Sequence, residues 1–351
     1  MNILITAQMT NGTIQAKLEP LSRLEEVSNI YFLRKSEGPK IDKVTYIILP
    51  KICRKSIFNL TLTPLLLVRY ILKLKINYVI SYHMIPYAFI AAFATRLTRT
   101  PYFVCQTGSE IQRFSEKKMF WFFLKRVLKK ARKVCVPGKF SRDHWIKKGI
   151  DPDHVQILHS TIDTEKYVPD ESITNTYDFI YTGRFAEEKR NDFLVRAFAI
   201  VLKSCPDATL ALVGDGPKRE GIKVLVTELG LNNNITFIEY QNDVLPFLNQ
   251  AQYVVMTSEM EGLPCSIMEA MSTQLIPVVT NVGNLSDIVI PWKTGYLVDK
   301  NDMEGFASSM IELYHLPSET KANLQVQARK IIMEAHSHQS SILKWRNLLL
   351  N

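Results

Sequence analysis

The sequence predicts an α/β protein made of two doubly wound parallel sheets. Short apolar runs typical of buried strands alternate with helix-like stretches along the 351 residues, and this pattern indicates parallel sheets covered by helices. The alternation stops in a polar segment at 166–176 (KYVPDESITNT) and then restarts. A chain of this length suits two domains, each large enough to bury its own core.

The individual elements follow from the positions of these runs. In the first half, strands are predicted at 2–7, 45–49, 78–82, 102–106, 133–137 and 155–158, with helices at 86–98 and 116–132. The run at 60–74 carries Thr, Pro, Arg and Lys, so it predicts a buried helix and not a membrane span. In the second half, strands are predicted at 177–182, 209–214, 234–239, 253–257 and 276–280, and helices at 191–204, 218–229, 244–250 and 266–272.

Composition places the chain among globular proteins, because 46% of its residues are hydrophobic and 22% are charged. The five cysteines are widely spaced and include no C-x-x-C pair, which argues against a disulfide framework or a zinc site. The first 20 residues lack a basic segment followed by an apolar core. They therefore do not predict a secretory signal, and the expected location is the cytoplasm.

Charge is distributed unevenly between the two halves. Residues 1–170 hold 28 Lys and Arg against 13 Asp and Glu, whereas the remainder is acidic although the whole chain carries a net charge of +9. Much of the excess lies in 117–133 (KKMFWFFLKRVLKKARK), which as a helix would be basic and amphipathic. Such a helix suits the surface of an anionic membrane, although a core helix with a solvated basic face would look the same. No motif for binding nucleic acid accompanies the charge, so nucleic acid is not an expected partner.

The segment 261–269 (EGLPCSIME) carries the most specific chemical signal. Glu261 lies on a loop shaped by Gly262 and Pro264, and Glu269 lies in the helix that follows. Upstream, Gly183 directly follows a predicted strand and is succeeded by Arg184 and Lys189. Cations that hold phosphates, beside carboxylates that accept from sugar hydroxyls, are what a sugar nucleotide requires. The two segments therefore predict a donor site.

Other polar motifs are weaker. The turn at 212–217 (LVGDGP) lacks the third glycine of a dinucleotide fingerprint and is interpreted as structural. The segment 281–286 (NVGNLS) joins a strand to a helix and is a second potential phosphate cradle. Asp151 and Asp153 form a D-x-D in a polar turn, and His336 and His338 have no third ligand nearby, so no metal site is predicted.

In this order, these residues resemble the retaining glycosyltransferases of family 4. The family has the GT-B architecture, which consists of two facing Rossmann-like domains with an interdomain cleft. The resemblance is strongest from Cys135 to Lys300: Gly183-Arg184-Phe185 with Lys189 matches the diphosphate-binding segment, and 257–271 matches the E-x7-E signature. It implies an N-terminal acceptor-binding domain at 1–168, a donor-binding domain at 169–336, and a last helix at about 337–351 that packs back on the first domain.

The resemblance also implies roles for individual residues. Arg184 and Lys189 would neutralise the leaving diphosphate, Glu261 would hold the donor sugar and Glu269 the ribose. Backbone groups of four further residues would complete the pocket with Gly183: Leu263, Pro264, Asn284 and Leu285. No cofactor or metal is implied. The expected activity is transfer of a hexose, with retention, to a glycan acceptor that is expected to be lipid-linked, in bacterial-type cell-surface polysaccharide synthesis at the inner face of the membrane.

The N-terminal half departs from the family pattern. Gly12 stands alone where many members have a Gly-Gly loop, and Thr107 stands where many have a histidine. His83, which follows a predicted strand, is a second candidate on the acceptor side, although a lone histidine is more often structural. Two alternatives therefore stay open. They are a sugar-nucleotide epimerase on the same fold and a non-catalytic partner subunit of a glycosyltransferase complex.

Overall fold

The structure, a computed structural model, describes residues 1–51, 56–107 and 118–350. The chain forms two compact units. Unit 1 contains residues 1–161 and 338–351, and unit 2 contains residues 162–337. The break therefore falls between Thr161 and Ile162, slightly before the polar segment at which the sequence places it. Strand β7 of unit 1 ends just before this break, whereas 163–176 already belongs to the second unit.

Unit 1 is built on a seven-stranded sheet in the order β3-β2-β1-β4-β5-β6-β7, with every pair parallel. Its strands are β1 (Asn2–Thr6), β2 (Asn29–Arg34), β3 (Val44–Ile48), β4 (Tyr78–Tyr82), β5 (Tyr102–Cys105), β6 (Lys133–Val136) and β7 (Val155–Ile157). Its helices are α1 (Asn11–Ser22), α2 (Ser56–Lys73), α3 (Phe89–Thr98), α4 (Lys118–Lys130) and α5 (Lys139–Lys147).

Unit 2 has a six-stranded, wholly parallel sheet in the order β10-β9-β8-β11-β12-β13. Its strands are β8 (Tyr177–Thr182), β9 (Leu210–Val213), β10 (Ile235–Ile238), β11 (Ala251–Met256), β12 (Ile276–Thr280) and β13 (Tyr296–Val298). Its helices are α6 (Asn191–Val201), α7 (Arg219–Glu228), α8 (Leu245–Leu248), α9 (Cys265–Ser272), α10 (Met303–Tyr314) and α11 (Ser318–His336).

The last helix of the chain, α12 (His338–Leu350), belongs to unit 1 and not to the unit that precedes it in sequence. Trp345 is 1% exposed and packs edge-on against Phe103 of β5. The Tyr78 hydroxyl donates to the Leu349 carbonyl at 3.0 Å, and Arg346 pairs with Glu26 at 2.9 Å. The chain thus completes the core of its first unit with its final residues.

The predicted fold class is confirmed, since both sheets are parallel and carry Rossmann-like strand orders. The sequence did not predict β2 and α1, although both bury apolar side chains in the core of unit 1. One helix is less buried than predicted. Leu65 and Leu72 of α2 are 55% and 66% exposed, because this helix lies on the outside of unit 1 and buries one face.

Candidate active site

Each sheet has a switch point, where the strand order reverses beside the first strand of the unit. In unit 2 the switch point lies between β8 and β11, which are neighbours in the sheet. Ligands on open parallel sheets bind outside the carboxyl ends of strands at such a point. Gly183 follows β8 directly and the loop bearing Glu261 follows β11, so the two segments singled out in the sequence meet at this edge.

A cavity of about 570 Å³ opens at the carboxyl edge of the unit 2 sheet. It is walled by the loops after β8 and β9, by the segment after β10 and by the start of α9. Its lining residues include Arg184, Tyr240, Ser266 and Glu269. The loop after β8 therefore supplies a cation, the segment after β10 an exposed aromatic ring, and α9 a hydroxyl and a carboxylate. The cavity is of the size that holds small-molecule ligands.

Two glycines after β9 allow its loop to lie directly on the loop after β8. Gly214 has a φ of +139°, and a Cβ there would stand 2.0 Å from the Gly183 carbonyl oxygen. Gly216 has a φ of +154°, and a Cβ there would stand 2.3 Å from the Phe185 carbonyl oxygen. The Phe185 N–H in turn donates to the Asp215 carbonyl at 2.9 Å. The G-x-G turn is structural, as predicted, but it also lines the cavity.

Lys189 and Glu261 form a direct ion pair. The Lys189 ammonium lies 2.5 Å from Glu261 Oε1, and the two side chains are 20% and 10% exposed. Lys189 therefore pairs with the carboxylate of the other motif and not with its sequence neighbours Glu187 and Glu188. An ammonium group has three donors, so Lys189 can orient Glu261 and still donate to an anion.

The loops that carry this ion pair are fastened to each other through the backbone. The Thr257 hydroxyl lies 3.1 Å from the Lys189 carbonyl and 3.0 Å from the Arg190 carbonyl. The Glu259 N–H donates to the Glu188 carbonyl at 2.8 Å. These contacts fix the backbone of Lys189 relative to the segment that leads to Glu261. The ion pair therefore joins two loops that are already attached to each other.

Glu269 occupies the middle of α9 and lines the cavity. Desolvation raises the pKa of its carboxyl above the ordinary value, against the opposing effects of the Tyr167 hydroxyl, which hydrogen-bonds to it, and of the Lys166 ammonium. Burial, followed by the charge of Glu269, likewise raises the pKa of Tyr167. A carboxylate largely removed from water and fixed by one donor is well placed to accept hydrogen bonds from a bound diol.

The remaining donor-side candidates surround the Glu261 loop and do not line the cavity. Leu263 and Leu285 are buried in the core of unit 2, so any contact with a ligand would use their backbone. Asn284 donates to the Gly262 carbonyl through its backbone N–H, at 2.9 Å, and through its side chain, at 3.1 Å. Pro264 has no N–H and precedes the first residue of α9. These residues hold the Glu261 loop against the loop after β12.

In unit 1 the switch point lies between β1 and β4, and both acceptor-side candidates are found there or next to it. His83 follows β4 with a φ of +70°. Its Nε2 donates to the Gln8 carbonyl beyond β1 at 2.8 Å, which leaves Nδ1 to accept from the Thr107 hydroxyl beyond β5 at 2.7 Å. Loops from three strands thus converge on one imidazole. The remainder of the segment that contains Thr107, from Gly108 to Glu110, lies outside the described residues.

Several residues that line the cavity of unit 2 carry no signal in the sequence. Tyr240, Gln241 and Val244 line it from the segment after β10, whose proximity depends on a strand order that a single sequence does not reveal. Ser266 and Tyr167 were also not singled out. The glycine turn at 214–216 did carry a signal, but its contact with Gly183 becomes evident only once β9 is known to lie beside β8.

The structure adds two observations about motifs outside this site. Asp151 and Asp153 lie in an exposed turn in which Asp151 caps a short helix, and no cluster of three metal-ligating side chains occurs within 1–51, 56–107 and 118–350. Among the helices the structure describes, none has the length and apolar character needed to cross a membrane.

Comparison with known proteins identifies the family. The profile of glycosyl transferases group 1 matches residues 163–331, and that of glycosyltransferase family 4 matches residues 29–166. A UDP-Gal:α-D-GlcNAc-diphosphoundecaprenol α-1,3-galactosyltransferase of Escherichia coli is 23% identical over 87% of this chain and 85% of its own. The N-acetyl-α-D-glucosaminyl L-malate synthase of Bacillus anthracis is 28% identical over 48% of this chain and 44% of its own.

Solved structures agree on the fold. The crystal structure of HepE from Anabaena in complex with UDP superimposes with a TM-score of 0.85 over the full length of both chains, at 16% identity. Two successive family profiles thus cover most of the chain, and its fold matches that of HepE over the full length. The protein is a glycosyltransferase of the group 1, family 4 type with the GT-B fold.

Proposed function

We propose that this enzyme moves a hexose from a uridine-diphosphate sugar to a lipid-linked glycan in the synthesis of a bacterial cell-surface polysaccharide. The observation that carries the proposal is the donor site of unit 2. There Arg184, Glu269 and three backbone loops surround one cavity, and the Lys189–Glu261 pair lies on the adjoining loops. The choice of uridine is supported by HepE, whose structure holds UDP, and the choice of acceptor by the diphosphoundecaprenol substrate in the name of the E. coli relative.

Each part of the donor is assigned to a residue of unit 2. The ribose diol donates to Glu269, whose carboxylate is already held by Tyr167. The diphosphate lies against Gly183, where the backbone can approach closely, and near the first turn of α9, whose N–H groups favour an anion. Arg184 is exposed at the cavity and supplies the cation closest to the leaving group.

The sugar is held by Glu261, which Lys189 orients. As the bond between the anomeric carbon and the diphosphate oxygen breaks, negative charge grows on the diphosphate, and Arg184 and Lys189 stabilise it. The acceptor hydroxyl attacks from the same face, its proton passes to the departing phosphate oxygen, and the configuration is retained. We propose that these two cations neutralise the charge without a metal ion, so a chelator should leave the rate unchanged.

The acceptor is assigned to unit 1. His83, held by Thr107 and by the Gln8 carbonyl, stands at the carboxyl edge of that sheet and is proposed to contact an acceptor hydroxyl. The basic, aromatic helix predicted at 117–133, observed as α4, is proposed to hold the enzyme at the inner face of an anionic membrane, where a lipid-linked acceptor resides.

The test is transfer of radiolabelled sugar from UDP-glucose, UDP-galactose and UDP-N-acetylglucosamine to an extract of undecaprenyl-diphosphate-linked glycans. We expect one donor to label the lipid fraction and the new bond to have the anomeric configuration of the donor. Incubation without acceptor serves as the control. Conversion of one nucleotide sugar into another in that control would indicate an epimerase. Tight donor binding without transfer to any acceptor would indicate a non-catalytic subunit.

A further inference from the structure

A large groove lies on the outer face of unit 1, away from the switch point of its sheet. Its volume is about 1060 Å³, and helices α2, α3 and α4 form its walls, with α3 between the other two. Apolar side chains line most of it, including Leu65, Phe93 and Phe123, which are 55%, 53% and 54% exposed. Soluble proteins seldom leave so many large apolar side chains together at the surface without a partner.

One end of this groove is strongly basic. Arg96 and Arg99 from the end of α3, and Arg126 and Lys130 from α4, line it, and all four are exposed. No Asp or Glu is among the residues that line the groove, and none of the four cations forms an ion pair within the described part of the chain. The surface is therefore apolar along its length and cationic at one end, which complements a molecule with a hydrocarbon chain and an anionic head.

Topology indicates which anionic lipid fits this groove. The basic end adjoins Pro101 and Tyr102, at the amino end of β5, whereas Thr107 lies beyond its carboxyl end. A strand rises by roughly 3.3 Å per residue, so the length of β5 separates the basic end from the proposed acceptor site. The accepting hydroxyl of a lipid-linked glycan has to lie at the carboxyl edge, so its diphosphate would reach the basic end only if the glycan spanned the length of β5. A phospholipid of the bilayer has no such requirement.

We propose that the groove binds one acyl chain of an anionic phospholipid of the bilayer, with the four cations on its phosphate. This rests on the proposed function, because it specifies how unit 1 attaches to the membrane that carries the acceptor. A single buried chain gives marginal, reversible attachment, and a basic patch is the second signal that makes it stable. Each Lys or Arg near an anionic surface contributes about fivefold in affinity.

The experiment uses the full-length protein and vesicles of phosphatidylcholine containing phosphatidylglycerol with a photoreactive diazirine in the middle of one acyl chain. After irradiation, peptide mapping locates the label. We expect it on residues of α2, α3 and α4 that line the groove. Phe93→Glu should reduce labelling at least about tenfold. Arg96→Glu combined with Arg99→Glu should weaken vesicle binding about 25-fold or more at low salt.

A matched control is Leu343→Glu, because Leu343 is 52% exposed on α12 of the same unit but does not line the groove. It should leave both labelling and vesicle binding unchanged. Label confined to the outer face of α4, or unaffected by Phe93→Glu, would overturn the proposal. So would labelling by a diazirine-bearing undecaprenyl phosphate but not by the phospholipid, since the occupant would then be the acceptor lipid.

Binding of UDP, measured by calorimetry on each variant, separates this proposal from the function on which it rests. Phe93→Glu should bind UDP as the unaltered protein does, which also shows that the variant is folded. Groove labelling together with no binding of any nucleotide sugar would contradict the proposed function and leave the lipid site standing. Nucleotide binding without groove labelling would contradict the lipid site and leave the proposed function standing.

Discussion

The two units have the same kind of sheet and place candidate residues at the same kind of position, but they specify them differently. At the switch point of unit 2, glycines and charges define the site: Gly214 must lie on Gly183, and Lys189 pairs with Glu261. At the switch point of unit 1, the His83 imidazole is held by the Thr107 hydroxyl and the Gln8 carbonyl. A Cβ added to Gly12, the lone glycine after β1, would have nothing within 4 Å. The proposed donor site is therefore fixed by backbone packing, and the proposed acceptor site by a few replaceable side chains.

The largest expected effect concerns the ion pair of unit 2. We expect Glu261→Gln and Lys189→Met each to lower sugar transfer by about 10²- to 10³-fold, the loss typical of removing one preorganised electrostatic group. Steady-state transfer with radiolabelled donor measures it. Lys223→Ala is the control, because Lys223 forms an exposed ion pair with Glu220 on α7, and the loss of this pair should leave sugar transfer unchanged. Unchanged transfer in both site variants would remove the pair from the mechanism.

The second effect tests whether glycine is required in one unit and not in the other. Gly214→Ala should destabilise unit 2 by roughly 1–3 kcal/mol and abolish nucleotide binding, because the new Cβ would collide with the Gly183 carbonyl at a φ that alanine rarely adopts. Gly12→Ala, within α1 and facing open space, should be neutral or stabilising by up to about 1 kcal/mol. Urea denaturation of both variants measures the difference, and equal effects would contradict the comparison.

The third effect lies in unit 1. His83→Asn and Thr107→Val should each reduce transfer about tenfold while leaving donor binding unchanged, since donor and acceptor residues belong to different units. Because Thr107 acts by orienting His83, the double variant should lose no more than the larger single loss. Thr107→Ser keeps the hydroxyl and should restore most of the activity. Additive losses, or weaker donor binding, would show that the two residues do not work together on the acceptor side.

The smallest effect concerns the stability cost of Glu269. The pKa of the Glu269 carboxyl is raised in the folded protein. Protonation of this carboxyl therefore stabilises the folded state, fully below the pKa of the unfolded chain, and this stabilisation is lost as the pH rises through the folded pKa. At neutral pH the ionised group therefore opposes folding. Glu269→Gln should raise the Tm of the free protein at pH 7 by a few degrees, or about 1 kcal/mol, and the gain should vanish near pH 4. A lower Tm at pH 7 would show that its bond with Tyr167 outweighs desolvation.

The difference between the units also explains how much the sequence could predict. Alternating apolar runs predicted two parallel sheets, because a buried parallel strand is apolar throughout, but they did not predict β2. The residues proposed to bind the donor were singled out because glycine and charged residues after strand ends leave a pattern in the chain. Tyr240 left none, since its place beside the cavity depends on the order β10-β9-β8. The groove on unit 1 was missed because α2 has an apolar outer face and therefore resembles a buried helix.

The cavity of unit 2 is proposed to bind a nucleotide-diphosphate sugar through Glu269. Calorimetry with uridine, guanosine and adenosine diphosphate sugars tests it most directly, with Glu269→Ala compared against Glu228→Ala, an exposed carboxylate on α7. We expect the uridine donors to bind, Glu269→Ala to weaken binding about tenfold or more, and Glu228→Ala to bind as the unaltered protein does. If no nucleotide sugar binds, or if both variants bind equally well, the assignment of the donor site is wrong.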